Sequence, residues 1–107
     1  MRSALFVLVR ATIGFSASME IGFALEAGNP AQGKAIAERW CSACHMVSPS
    51  QAQVHADVPT FPSIAQRLPA EADVLAAFLA NPHPPMPNLS LSRRDIQDLL
   101  AYIATLK

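Results

Sequence analysis

An all-helical domain of about four short segments is the fold class this sequence predicts, on three observations. Nine prolines and an aromatic content of 7% favour short helices stopped by prolines over a sheet of β-branched strands. Ser92, with Asp95 three residues on, forms a capping-box-like start, after which Ile96, Leu99, Leu100, Ile103 and Leu106 recur at helical spacing. Asn29-Pro30 supplies another helix start, with Asn as N-cap and Pro at the first helical position.

The elements follow in order. The first helix runs from Pro30 through Gly33, Lys34 and Ile36 to Trp40 and delivers the chain to Cys41. Residues 46–59 carry Ser48, Pro49, Ser50 and Pro59 without a sustained period and read as loop. Thr60 to Leu68 holds a short helix around Ile64-Ala65-Gln66, ended by Pro69. Ala70 to Ala80 forms a third helix with Val74, Leu75, Phe78 and Leu79 on its apolar face, stopped by Asn81-Pro82. The Ser92-capped helix is the last, with Tyr102 beside its apolar face.

At 107 residues there is room for one domain. Residues 1–24 read as a cleaved secretory signal: Arg2 and Arg10 come early, Ala11 to Met19 is uncharged, and Gly22-Phe23-Ala24 is a small-x-small ending. The cleavage boundary falls between 24 and 27, and residues 28–107 are the functional domain. The nine uncharged residues from Ala11 to Met19 are far short of the ~20 needed to span a bilayer, so no membrane span is expected in the mature chain. Formal net charge is zero, without a basic stripe, which argues against a nucleic-acid partner. A mature chain of about 80 residues is marginal for a self-sufficient hydrophobic core, so something beyond its side chains is expected to fill that core.

Cys41-Ser42-Ala43-Cys44-His45 is the C-x-x-C-H pattern of c-type haem attachment. On a helical turn, positions i and i+3 lie on one face, so both thiols can meet the vinyl groups along one haem edge. His45 then sits under the ring as the proximal iron ligand. A disulfide between Cys41 and Cys44 would close only a tiny loop and stabilise little. A thioredoxin-like redox pair would need strand–helix alternation, and a zinc site would need two further donors, for which only the isolated His55 and His83 remain.

The loop Asn81-Pro82-His83-Pro84-Pro85-Met86-Pro87-Asn88 offers the second axial ligand. The Met86 thioether is soft, which favours ferrous iron and a raised potential. Four prolines stiffen the loop and reduce the entropy lost on ordering it. His83 is the rival ligand, and His55 reads as surface.

Taken together, residues 28–107 resemble the class I (monohaem, small bacterial) c-type cytochromes. The resemblance rests on C-x-x-C-H, on Gly33 eight residues before the first Cys, on Pro59-Thr60-Phe61, on Met86-Pro87 before the terminal helix, and on Leu99-Leu100-Ala101-Tyr102 within it. It implies the cytochrome c fold, about four short helices wrapped around one covalently bound haem c, with Gly33 where the first and last helices cross. It also implies that the Pro59 carbonyl accepts a hydrogen bond from the proximal imidazole; Pro62 is a lesser candidate. The sequence departs from the family where an aromatic residue usually stands four before the first Cys. That position is Ala37, with Trp40 or Ile36 expected to fill the space. Arg67 or Gln66 are candidates to meet a haem propionate.

The function expected is therefore a periplasmic single-electron carrier, not an enzyme, with His45 and Met86 on the iron. Its implied partners are redox proteins: a dehydrogenase or reductase as donor, and an oxidase or larger cytochrome as acceptor. It would act as a soluble carrier or as the haem subunit of a dehydrogenase or reductase complex. The alternative is a five-coordinate, peroxidase-like haem enzyme or gas sensor, which requires Met86 to be off the iron.

Overall fold

The computed structural model describes residues 27–52 and 55–107. The expected leader over residues 1–24 lies outside them. The described residues contain four α-helices and no strand: α1 (Pro30–Ile36), α2 (Phe61–Ala65), α3 (Ala72–Ala80) and α4 (Arg93–Ala104). The all-helical reading holds.

Local chemistry starts the first and last helices where the sequence places them. The Asn29 side chain accepts from the Ala31 and Gln32 N–H groups, and Pro30 occupies the first turn, where a missing N–H costs nothing. Thr60 caps α2 through the Ser63 N–H. The third helix begins two residues later than its spacing suggests, because residues 66–71 form successive tight turns, including Leu68 N–H to Ala65 O and Ala72 N–H to Pro69 O.

Ser92 and Asp95 form a reciprocal capping box on α4: the Asp95 N–H donates to Ser92 Oγ at 3.1 Å, and the Ser92 N–H to Asp95 Oδ2 at 2.8 Å. The Ser92 hydroxyl, and then its backbone N–H, hold the Asp95 carboxyl below its ordinary value. A carboxylate favoured in this way adds stability above the unfolded pKa of about 3.9 and loses it as pH falls through the lowered folded value. Wild type is therefore expected to exceed Asp95→Asn in unfolding midpoint at neutral pH, with the gap closing below about pH 4. Thermal melts across that range check it, and a gap that stays constant would exclude the capping carboxylate as its source.

The first helix does not run on unchanged to Trp40. After Ile36 the chain widens into a π-helical turn, Ala37–Cys41, closed by Ser42 N–H to Ala37 O at 3.1 Å. The extra residue in this turn changes the face on which the following residues emerge. Ala37 is wholly buried and Trp40 is 53% exposed, so Trp40 does not take the interior place of an aromatic side chain; Ile36 packs, half-buried, against the core. Trp40 instead borders a cavity beside Cys41, and the small Ala37 meets the core.

The terminal helix is the hub, packed against α1, α2 and α3. Its Leu99 and Ile103, with Val47 from the loop, are the largest fully buried side chains. Helices α1 and α4 touch backbone to backbone: a Cβ at Gly33 would lie 1.9 Å from Asp98 O, and one at Gly28 2.0 Å from Gln97 O. Asp98, buried on α4, accepts the Asn29 N–H at 2.7 Å and tethers the start of α1; Arg94 Nε lies 3.4 Å from the same oxygen. The Tyr102 hydroxyl donates to Val47 O at 2.7 Å and ties α4 to the loop after His45.

Candidate functional site

The π-helical turn ends in the cysteine motif. Two further hydrogen bonds, Cys44 N–H to Cys41 O at 3.1 Å and His45 N–H to Cys41 O at 2.9 Å, keep Cys41 to His45 helical. The Ser42 hydroxyl donates to Glu38 O, satisfying a carbonyl in the widened turn. Both cysteines are free, Cys41 buried and Cys44 exposed. Burial pushes the Cys41 thiol up to about 11, so in the haem-free chain it is protonated at neutral pH.

His45 Nδ1 lies 2.7 Å from Pro59 O. A proline carbonyl can only accept, so Nδ1 carries the proton and Nε2 keeps the lone pair that a metal would take. Phe61, two residues beyond Pro59, stands against the imidazole with ring centroids 5.6 Å apart, and its N–H donates to Met46 O at 2.9 Å. The segment 59–61 thus meets both the ring and the backbone around His45. Pro62, the lesser candidate for the carbonyl, lies inside α2.

A cavity of about 840 Å³ opens in front of this wall. Its size falls within the range of ~300–1,000 Å³ usual for small-molecule and cofactor sites. Cys41, Cys44 and His45 line it, and so does Met86 from the proline-braced loop. Between them the lining is mainly apolar, including Phe61, Ile64, Leu68, Leu99 and Ile103. The predicted face of α3 (Val74, Leu75, Phe78 and Leu79) lines it as well.

Pro59 lines the cavity too, so all five sequence-predicted site residues meet around one space. His55 and His83 are also on its lining; both are exposed, and the His83 ring stands edge-on to Phe78 at 5.0 Å. Arg67 lines it while paired with Glu71 at 3.0 Å, and Gln66 is exposed and off the lining. Among the described residues no three His, Cys, Asp or Glu side chains gather as a metal-binding group. A flat, apolar macrocycle bearing thioether-forming vinyl groups and an iron fits this donor set: two thiols on one turn, one imidazole with its metal-seeking nitrogen unprotonated, and one thioether.

Comparison with known proteins decides the family. Residues 28–103 match the family described as cytochrome c oxidase, cbb3-type, subunit III. A cytochrome c-552 of Bradyrhizobium diazoefficiens is 41% identical over 95 residues, spanning 89% of this chain and 88% of that protein. The chain belongs to this family of small monohaem c-type cytochromes. No solved structure matches it. As a c-type cytochrome it carries covalently bound haem c, moves electrons between redox partners and is not an enzyme. No helix among the described residues is long and apolar enough to cross a membrane.

Three residues of this cytochrome escape sequence reading. Asp98 sits among the polar positions of an amphipathic helix, where a charge ordinarily faces water. Gly28 lies outside any helix, and nothing in its neighbours signals a close backbone approach. Gln51 occupies a polar loop and carries no motif; its side chain nevertheless meets the backbone on both sides of His45. The contacts of Asp98 and Gly28 join segments far apart in the chain, and those of Gln51 follow no repeating local pattern.

Proposed function

We propose that this cytochrome is a periplasmic single-electron carrier whose haem is joined to Cys41 and Cys44 and ligated by His45 and Met86. The observation that carries the ligation is the 2.7 Å contact of His45 Nδ1 with Pro59 O, which assigns the tautomer whose Nε2 can bind iron on the cavity that Met86 also lines. Haem, when bound, supplies a one-electron ferrous/ferric couple.

The residues do the rest. Pro59 fixes the imidazole orientation and raises its basicity as a ligand. Met86 offers a soft sulfur that favours the ferrous form, and Pro84, Pro85 and Pro87 restrain its loop so that a weak bond to iron is kept through each redox cycle. Phe61, Leu99 and Ile103 exclude water from the cavity. The exposed Cys44 marks the side where an electron has the shortest path to a docked partner.

Six basic against seven acidic side chains from residue 25 onward provide little long-range steering. That balance suits a soluble carrier at moderate rates, or a fixed haem subunit of a dehydrogenase or reductase complex. The basic start, uncharged Ala11–Met19 and small-x-small ending of the leader support export to the periplasm.

Absorption spectroscopy tests the ligation. Wild type is expected to be low-spin in both oxidation states and inert to carbon monoxide. Met86→Ala is expected to be high-spin when ferric, to bind carbon monoxide when reduced, and to have a lower midpoint potential. A wild type that is already high-spin and binds carbon monoxide avidly would remove Met86 from the iron and replace the carrier with a five-coordinate enzyme or gas sensor.

A further inference from the structure

The backbone of the cysteine motif ends abruptly. Past His45 the helical hydrogen bonding stops, and the last carbonyls of a helical segment are left without intrahelical partners. Two of these, Ser42 O and His45 O, flank Cys44 and belong to the turn that presents the imidazole. One side chain meets both: Gln51 Nε2 donates to Ser42 O at 3.0 Å and to His45 O at 3.0 Å. Gln51 Oε1 accepts the Val47 N–H at 3.0 Å.

This single amide spends both its N–H groups and its carbonyl on the backbone from Ser42 to Val47. No rotation of the amide preserves that pattern, because exchanging Oε1 and Nε2 would set an oxygen against two carbonyls and an NH2 against an N–H. Val47 is buried, so its N–H has no free access to bulk water as a substitute, and Ser42, His45 and Gln51 are half-buried. His45 is therefore held twice, its ring by Pro59 O and its own carbonyl by Gln51.

We infer that Gln51 is a positioning residue for the proximal ligand: it fixes the peptide plane of His45 and, through it, the angle at which the imidazole meets the iron. The inference rests on His45 being the proximal ligand. Pro59 alone can restrain the ring about its own hydrogen bond, but not the Cα from which the ring swings. With the carbonyl released, the Ser42–Val47 turn can twist, and the Nδ1–H···O bond to Pro59 lengthens as a consequence.

The test uses the holoprotein. Wild type, Gln51→Met, Gln51→Glu and Ser92→Ala are loaded with haem, and the ring resonances of His45 are followed by paramagnetic NMR together with hydrogen exchange at its Nδ1. Gln51→Met keeps the bulk and loses all three bonds. Gln51→Glu keeps the oxygen that accepts from Val47 N–H and loses both donors. Ser92→Ala removes the cap at the distant start of α4 and serves as a control for general destabilisation.

Both Gln51 variants are expected to shift the His45 ring signals and to speed Nδ1 exchange at least tenfold over Ser92→Ala, with Met86 still bound. Unchanged His45 signals in a folded, loaded Gln51→Met protein would overturn the inference. So would signals altered in Gln51→Met but not in Gln51→Glu, since the Val47 contact would then be the one that matters. Failure of both variants to fold or to take up haem would assign Gln51 a general folding role instead. A wild type whose His45 shows no paramagnetic shift at all would fail at the ligation itself, a separate outcome.

Discussion

Cys41→Ser combined with Cys44→Ser is expected to abolish cooperative folding as well as covalent haem. The usual effect of replacing two free cysteines is small, but these two border an open-mouthed cavity of about 840 Å³ lined by the same Leu99 and Ile103 that form the core. Without haem its apolar lining is left facing water, at ~25 cal/mol for each Å² the macrocycle would have covered, a loss that is large beside the ~5–15 kcal/mol that stabilises a typical domain. The surrounding helices cannot close it cheaply, because α2 has only five residues and α3 nine. Without haem the chain should keep some helix, as read by far-ultraviolet circular dichroism, while losing its near-ultraviolet signal and its cooperative melt. A haem-free double variant that melts in one sharp transition would show that the side chains alone make a sufficient core.

The second large effect is expected at Gly33. Alanine is the better helix former by about 1 kcal/mol, so in isolation Gly33→Ala should stabilise α1. The tertiary setting reverses the sign. The added Cβ would lie 1.9 Å from Asp98 O and 2.8 Å from Tyr102 Cβ. The first of these is backbone and cannot rotate away, so the two helices must separate. Overpacking of this kind typically costs ~1–3 kcal/mol and occasionally more. Separation would also stretch the Asn29–Asp98 bond that tethers the start of α1 to α4. A net loss of about 3 kcal/mol is expected, larger for Gly33→Val, read as a lower denaturant midpoint of the holoprotein at constant slope. A neutral Gly33→Ala would mean that the helices cross with more room than the backbone distance allows.

Both effects bear on how much of this protein could be read from its residues. The starts of α1 and α4 were legible because caps act locally: Asn29 and Ser92 bond to N–H groups two or three residues away. The apolar face of α4 was legible because burial repeats with helical period. The cysteine motif was legible because covalent attachment needs both thiols on one turn, which fixes their spacing.

The π-helical turn at Ala37–Cys41 was not legible. No residue in Ala37-Glu38-Arg39-Trp40-Cys41 favours a wider turn on its own, and Trp40, a candidate to fill the helix crossing, borders the cavity instead. The boundary of α3 slipped because residues 66–71 satisfy each other in short turns before the helix begins. Arg67, a candidate partner for a propionate, is paired in the structure with Glu71.

The residues alone settle the fold class, the haem motif and the family resemblance, since each rests on contacts within a few residues or on a repeating pattern. The three-dimensional structure was needed to bring Asp98 against Asn29, Gly28 against the α4 backbone, and Gln51 against the carbonyls around His45. These pairings are separated by up to 69 positions in the chain. The first two exist because the start of α1 closes directly on the α4 backbone, and that closure brings together residues no local rule relates.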